Sequence, residues 1–175
     1  IDVISGINHA PMLAPVANQN ISAGQTLLVT NTATDAEAPP QLLLYTLLNK
    51  PDGAGIGTLN GVLSWRPSSA QADSTNAFTV RVADTGTPSL SATQSFLVTV
   101  GKLALPVVSA PALSNGLFQM TVNGDFGPDY QIWSSTNLTD WRMLQQSNSP
   151  RLPFVWTDEN ATTFSTRFYR VQLSP

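Results

Sequence analysis

The sequence contains no cysteine and a single histidine, His9, in 175 residues. The absence of cysteine excludes disulfides, thiolate metal sites and cysteine nucleophiles. A single histidine in a short Asn-His-Ala-Pro segment near the start of the chain cannot complete a Ser-His-Asp arrangement inside a domain core. The acidic residues also fail to form a glycosidase pair, because Asp158 and Glu159 are adjacent on a predicted strand and point apart. We therefore expect a protein that is not an enzyme.

Charge is also scarce, at 11% of residues, against about 25% in a typical soluble domain. Eight Lys and Arg residues and a net charge of −3 do not supply the clustered basic surface that nucleic acid requires. No apolar run reaches 18 residues, so no membrane insertion is predicted. The first hundred residues hold six acids and three bases, and the rest hold five of each. Any preference for cations is therefore expected in the first half.

Hydrophobic residues make up 42% of the chain, which is enough to fill a core. They recur at every second position, as in Phe78, Val80 and Val82, which alternate with Thr79 and Arg81. Turn residues follow every eight to twelve positions, and no stretch of twelve residues holds a helical stripe. This pattern predicts an all-β protein.

The alternating pattern is interrupted between residues 101 and 111, where Pro106 and Pro111 lie close together. Proline cannot donate a ladder hydrogen bond, so this segment is predicted to be a linker or an edge. The predicted strands are 25–34, 42–48, 62–65, 77–84 and 93–100 before the interruption, and 117–123, 130–134, 141–146, 154–158 and 167–173 after it. We predict two tandem β-sandwiches, 8–101 and 106–175, preceded by the end of another module or a linker at 1–7.

The first predicted module resembles the cadherin-like and immunoglobulin-like repeats of large bacterial surface proteins. The resemblance depends on short segments in the expected order: Asn8-His9-Ala10-Pro11, Ala23-Gly24-Gln25-Thr26-Leu27, Ala33-Thr34-Asp35-Ala36-Glu37, Leu44-Tyr45-Thr46-Leu47, Gly61-Val62-Leu63-Ser64-Trp65 and Phe78-Thr79-Val80-Arg81-Val82. It implies an Ig-like sandwich in a secreted or cell-surface protein.

The second predicted module resembles a C-terminal module of secreted Verrucomicrobia and Planctomycetes proteins. The segments that carry this resemblance are Tyr130-Gln131-Ile132-Trp133-Ser134-Ser135-Thr136-Asn137-Leu138-Thr139-Asp140-Trp141 and Arg167-Phe168-Tyr169-Arg170-Val171. By analogy of strand order, it implies a sandwich similar to fibronectin type III.

The resemblance to cadherin-like repeats also implies a calcium site made of hard oxygen ligands. The matching positions are Asn8, Asp35, Glu37 and Asp84. The chain departs from the family pattern after Glu37, where Ala-Pro-Pro stands in place of further acids. The alternative is that Asp35 and Asp84 stabilise turns and that Glu37 is solvated. No other cofactor is predicted.

Trp133 is the aromatic residue most suited to binding a ligand. Alternation places Ile132 on one face of its strand and Trp133 on the other, so a buried Ile132 directs Trp133 to solvent or to a neighbouring module. Trp65, Trp141 and Trp156, by contrast, are predicted to be core side chains.

These observations lead to two hypotheses for function. The first is a non-catalytic structural and adhesive tandem module of a large secreted or cell-surface bacterial protein, whose partners are neighbouring domains of that protein and a glycan or surface protein. The second is a carbohydrate-binding accessory module of a polysaccharide-degrading enzyme, with Trp133 as the contact.

Overall fold

The computed structural model describes residues 7–174 and divides them into two compact units. The first, which we term the first module, comprises residues 7–21, 26–66 and 74–100. The second module comprises residues 22–25, 67–73 and 101–174. The segment predicted to end a preceding module, 1–7, lies outside the described residues except for Ile7. That residues 8–101 and 106–175 fold as independent domains remains a prediction.

The first module is built from nine strands: β1 (Met12–Leu13), β2 (Gln19–Ile21), β3 (Leu27–Thr30), β4 (Ala33–Thr34), β5 (Leu44–Asn49), β6 (Gly55–Ile56), β7 (Val62–Trp65), β8 (Ser74–Ala83) and β9 (Ser91–Val100). They form a four-stranded sheet in the order β2-β9-β8-β5, a three-stranded sheet in the order β3-β7-β6 and a small β1-β4 pair. The orders β3-β7-β6 and β9-β8-β5 reproduce the B-E-D and G-F-C pairings of the immunoglobulin fold. The first module is therefore an Ig-like sandwich, with β2 joined in parallel to β9.

Alternation along β8 and β9 explains how the two larger sheets meet. Phe78 on β8 is fully buried, and its ring stacks on that of Phe96 on β9 with centroids 5.5 Å apart. The Trp65 ring, on β7 of the other sheet, lies edge-on to Phe78, also at 5.5 Å. Trp65 is 1% exposed, which confirms its predicted core position. The Trp65–Phe78 contact joins the two sheets into one core.

The second module has six strands: β10 (Val107–Ser114), β11 (Leu117–Asn123), β12 (Asp129–Ser135), β13 (Arg142–Ser147), β14 (Phe154–Asp158) and β15 (Phe168–Ser174). They form two antiparallel sheets, β10-β11-β14 and β13-β12-β15. The buried core consists of Met120, Val122, Tyr130, Ile132 and Trp156, which come from both sheets. The Tyr130 hydroxyl donates to the Asp125 carbonyl at 2.8 Å, which satisfies the polar end of a ring that is otherwise buried.

The prediction of an all-β fold is confirmed. Residues 7–174 contain strands and two short 3₁₀ turns, Ser69–Gln71 and Ala161–Thr163, and none of their helical segments is long and apolar enough to cross a membrane. Of the two alternatives predicted for the segment around Pro106 and Pro111, a linker or an edge, the edge is correct from residue 107 onwards. Residues 107–111 belong to β10, an edge strand that accommodates Pro111 next to a shift in its register with β11.

Candidate functional site

Three of the four predicted calcium ligands lie in loops next to strand termini, in the same part of the first module. Asp84 directly follows β8, Asp35 directly follows β4, and Asn8 lies four residues before β1. Hydrogen bonds link these loops across 76 sequence positions, because the Asn8 Nδ2 atom donates to Asp84 Oδ2 at 3.0 Å. The fold therefore brings Asn8 and Asp84 into contact.

Both carboxylate oxygens of Asp84 accept hydrogen bonds, Oδ1 from its own turn and Oδ2 from Asn8. Its Oδ1 atom accepts the backbone N–H groups of Gly86 at 3.0 Å and Leu90 at 2.9 Å, while Oδ2 accepts Asn8. Burial, the strongest single influence, raises the pKa of Asp84, but the hydrogen bonds from Leu90, Gly86 and Asn8 outweigh it and leave the pKa below its ordinary value. Asp84 therefore stabilises the turn that precedes β9.

Asn8 connects this turn to the neighbouring loop. Its Nδ2 atom also donates to the Pro88 carbonyl at 2.9 Å, and its Oδ1 atom accepts Nε2 of Gln41 at 2.5 Å. These three bonds fix the orientation of the amide, since reversing it would place a donor against a donor and an acceptor against an acceptor. Asn8 therefore positions Gln41, a residue that the sequence analysis did not select.

Asp35 and Glu37 form a pair of carboxyl groups in direct contact. Their mutual side-chain interaction raises the pKa of Asp35 and lowers that of Glu37 to about 2, with further influence on Glu37 from burial and from His9. Two ionised carboxylates carry only acceptors, so the contact becomes a hydrogen bond only when Asp35 holds a proton. Above the raised pKa of Asp35, both carboxylates are ionised and repel each other, and a cation beside their oxygens would relieve that repulsion.

His9 stabilises one side of this pair. Its backbone N–H donates to Glu37 Oε1 at 2.6 Å, and its Nδ1 atom lies 2.9 Å from the same oxygen. The His9 side chain is 65% exposed, against 15% for Glu37, so it covers the carboxylate from the solvent side. Both of these contacts from His9 are made to Glu37 Oε1, and neither is made to Oε2.

Three oxygens at this end of the module are buried without a hydrogen-bond partner: Asp35 Oδ2, Glu37 Oε2 and Gln41 Oε1. Glu37 and Gln41 line one open cavity of about 530 Å³ together with His9, Thr85 and Gly86. Buried acceptors without partners are costly, and carboxylate and amide oxygens are the donor atoms that calcium prefers. The donor set fits a hard cation in kind, although residues 7–174 include no group of three His, Asp or Glu side chains close enough to hold a metal by themselves.

Trp133 lies half-buried on the outer face of the β13-β12-β15 sheet, while Ile132 is 1% exposed. The guanidinium of Arg170, opposite Trp133 on β15, lies 5.4 Å from the Trp133 ring centre and 4.3 Å from that of Trp141. Trp133 Nε1 donates to Gln131 Oε1 at 3.2 Å. One cation therefore contacts both rings.

The core position predicted for Trp141 is wrong. Trp141 precedes β13, is half-buried, and donates from Nε1 to the Leu138 carbonyl at 3.0 Å. Trp156 occupies the core as predicted, with 8% exposure, and its Nε1 atom donates to Gln145 Oε1 at 3.0 Å. The difference arises because the loop before β13 turns Trp141 towards Arg170.

Hydrogen bonding explains the distinctive Ser-Ser-Thr-Asn-Leu-Thr-Asp-Trp segment of the second module. Asn137 Oδ1 accepts the backbone N–H groups of Thr139 at 3.0 Å and Asp140 at 2.9 Å, and Ser135 Oγ accepts those of Asn137 and Leu138. These are the local bonds by which Asn and Ser close turns. The motif therefore shapes the loop between β12 and β13.

A second cavity, of about 540 Å³, opens beside this loop and is lined by Ser134, Asp140, Arg142 and Arg167. Ser134 Oγ accepts Nη2 of Arg167 at 3.2 Å, so the hydroxyl faces a cation instead of a base. A serine nucleophile requires a neighbouring base to take its proton. The arrangement is therefore unsuited to serine catalysis.

The chain matches no known family model and no curated protein. Among solved structures, it resembles an endo-fucoidan hydrolase of glycoside hydrolase family 107, with 18% identity over 94% of this chain and 28% of that chain and a TM-score of 0.49. It resembles a mouse cadherin-23 fragment with 16% identity over 95% and 65% of the two chains and a TM-score of 0.43. It also resembles the human desmocollin-1 ectodomain with 15% identity over 94% and 41% and a TM-score of 0.43.

The chain spans well under half of the hydrolase and desmocollin-1 chains and about two thirds of the cadherin-23 fragment. All three identities are below 25% and all three TM-scores are below 0.5. These resemblances therefore assign no ligand, activity or partner to this chain. The immunoglobulin-like topology of the first module follows from its own strand pairing.

Proposed function

We propose that this chain is a non-catalytic pair of structural and adhesive modules from a large secreted or cell-surface bacterial protein, and that the first module binds calcium. Its partners are the neighbouring domains of that protein and a glycan or surface protein. The observation that carries the proposal is the Asp35–Glu37 carboxyl pair, whose Oδ2 and Oε2 atoms are buried without partners at the loop end of an Ig-like sandwich.

The ligand set proposed for the ion differs in part from the set expected from the resemblance. Asp35, Glu37 and Gln41 supply oxygens to the ion, because these are the side chains with unpartnered acceptors. Asn8 and Asp84 act behind them, since Asn8 positions Gln41 and Asp84 positions Asn8. Calcium takes six to eight oxygen ligands, so water or backbone carbonyls complete the sphere.

A structural role is supported by the two cores. The core of the first module is packed around Trp65 and Phe78, and the core of the second is packed around Tyr130 and Ile132. Neither module has a disulfide. Sandwiches of this type keep most of their backbone hydrogen bonds within sheets, and they can be connected in series. Such modules serve as spacers that resist extension.

Force spectroscopy tests this role directly. The chain is held between two handles and pulled, first in calcium and then in EDTA. We expect two unfolding events, with contour gains of about 30 nm and about 20 nm at about 3.6 Å per residue. Calcium should raise the force of the longer event alone, and Glu37→Gln should remove that increase. A single event covering the whole chain, or no calcium effect on the longer event, contradicts the proposal.

A carbohydrate-binding role is the second candidate, and the outer face of the β13-β12-β15 sheet favours it. The rings of Trp133 and Trp141 both contact Arg170 there. Beside them Gln131 and Gln172 form a hydrogen-bonded pair, with Gln172 Nε2 donating to Gln131 Oε1 at 3.2 Å. Aromatic rings with adjacent amides are suited to stacking and hydrogen bonding with a sugar.

A further inference from the structure

Among the strands of residues 7–174, none of the facing sheet lies opposite β10 of the second module. Its neighbour β11 packs on β15, where the rings of Phe118 and Tyr169 stack with centroids 4.4 Å apart. Strand β14 packs on β12, where Phe154 meets Tyr130 edge-on at 6.2 Å. Since the order of the sheet is β10-β11-β14, β10 lies one strand beyond the outer edge of β15.

The inner face of β10 is nevertheless apolar. Val108 is paired with Val122 and Leu113 with Phe118, and directly paired residues point to the same face of a sheet. Val122 is fully buried and Phe118 packs against the core, so Val108 and Leu113 also face inwards. They remain 43% and 65% exposed. The inner face of this sheet therefore has apolar side chains that the described part of the chain covers only in part.

The edge of β15 beneath them is open. Strand β15 spans seven residues, and within residues 7–174 it pairs only with β12, in an uninterrupted antiparallel register. Natural sheets protect exposed edges with proline, bulges or inward-pointing charges. Strand β10 has Pro111 and a shifted register, whereas residues 168–174 of β15 contain no proline and no register shift. Alternate backbone N–H and C=O groups of β15 are thus left available for another strand.

We propose that this slot, formed by the outer edge of β15 and the inner face of β10, binds one extended strand of another polypeptide. The bound strand is about seven residues long and pairs with β15 by β-augmentation. Its apolar residues alternate, so that one face covers Val108 and Leu113. Its other face is polar with an acidic residue, which complements the exposed Arg170 on the outer face of β15.

The space beside β15 admits a single strand but not a second copy of this chain. Neighbouring strands lie about 4.8 Å apart, and β10 extends past β15 by one strand position. A second copy that paired its β15 here would bring its own second sheet into the space that β10 fills. A single strand has no such sheet and can enter.

The test uses the full chain and a fluorescent seven-residue peptide, Thr-Val-Thr-Val-Asp-Val-Thr, with blocked ends. We expect saturable binding by fluorescence anisotropy, together with slower hydrogen exchange of β15 backbone amides. Leu113→Asp should weaken binding at least tenfold. Val155→Asp is the matched control, because Val155 is 64% exposed on β14, away from the slot, and it should change the affinity less than twofold.

Several results overturn the proposal. These are the absence of saturable binding, equal affinity for a peptide with its three valines made consecutive, and a Leu113→Asp variant that binds as well as the control. Sedimentation that reveals a concentration-dependent dimer with β15 amides protected in the absence of peptide assigns the edge to a second copy instead. Circular dichroism checks that each variant folds, and Val108→Asp replaces Leu113→Asp if the latter does not.

Discussion

Arg167 Nη1 lies 3.0 Å from Asp158 Oδ2, and the two side chains are only 11% and 6% exposed. The Tyr169 hydroxyl donates to the same Asp158 oxygen at 2.8 Å. Arg167 and Tyr169 are two positions apart, so both reach the same face of the sheet. Within the Arg-Phe-Tyr-Arg segment, Arg167 and Tyr169 thus have a structural role, because they neutralise and hydrogen-bond a buried carboxylate.

Removing Asp158 should destabilise the second module strongly. Asp158→Ala leaves the Arg167 guanidinium buried without its counter-ion, and breaking such a pair from one side costs about 3–5 kcal/mol. Urea denaturation measures the loss. Glu159→Ala, at the exposed neighbouring position, should change the free energy of unfolding by no more than about 0.5 kcal/mol. Equal losses for the two variants contradict the assigned role of the pair.

The two cores should respond separately to mutation. Leu63 and Val122 are both fully buried, in the first and second modules respectively. Leu63→Ala should reduce the free energy of unfolding of the first module by about 2–5 kcal/mol and lower the midpoint of one thermal transition. Val122→Ala should lower the midpoint of the other. Calorimetry resolves the two transitions. Leu28→Ala, at a residue that is 66% exposed, is the control for the first module. If either core variant shifts both transitions equally, the chain folds as one unit.

The Asp35–Glu37 pair predicts a specific pH dependence when calcium is removed with EDTA. The contact with Glu37 raises the pKa of Asp35, so the first module loses stability as pH rises from the ordinary Asp value through the raised pKa. Asp35→Asn cannot ionise and keeps a donor for Glu37. The melting temperature of the variant relative to the native chain should therefore increase between about pH 4 and about pH 7. A difference that is constant or decreases over this range contradicts the pair.

The carbohydrate-binding candidate depends on Trp133. If glycans bind the Trp133–Arg170–Trp141 face, Trp133→Ala should abolish retention on insoluble polysaccharides while the circular dichroism spectrum is unchanged. Phe126→Ala, at an aromatic residue that is 61% exposed elsewhere, should be retained like the native chain. The candidate is rejected if the unaltered protein is not retained by any polysaccharide.

Strong alternation made most of the fold predictable. The strands predicted at 117–123 and 154–158 coincide with β11 and β14, and the strands around Phe78 and Phe96 were placed correctly. The short strands β1, β2 and β6 have two or three residues each, which is too few for a periodic signal. The segment that holds β10 was predicted only as a linker or an edge, because Pro106 and Pro111 are typical of linkers and are also tolerated at an edge.

The candidate cation site was only partly predictable. Asp35 and Glu37 were chosen from the resemblance, and the fold places them in contact. Gln41 carried no signal, because a neutral amide after Pro39-Pro40 gains its role only through Asn8, 33 positions away. The contact of Asp84 Oδ2 with Asn8, which adds to the bonds that Oδ1 accepts within its own turn, also depends on tertiary structure. Sequence pattern identifies the acids, but only the fold distinguishes the ones that remain available.

The most direct test of the proposed calcium site is a titration of the ¹⁵N-labelled chain with calcium, followed through the Ala36 backbone amide and the Gln41 side-chain amide by NMR. We predict saturable shifts at both, with a Kd of about 0.1–1 mM, as in extracellular calcium modules. Glu37→Gln should abolish these shifts, and Glu159→Gln should leave them intact. If neither signal moves with calcium, or if the Glu37→Gln variant titrates like the native chain, the site does not exist.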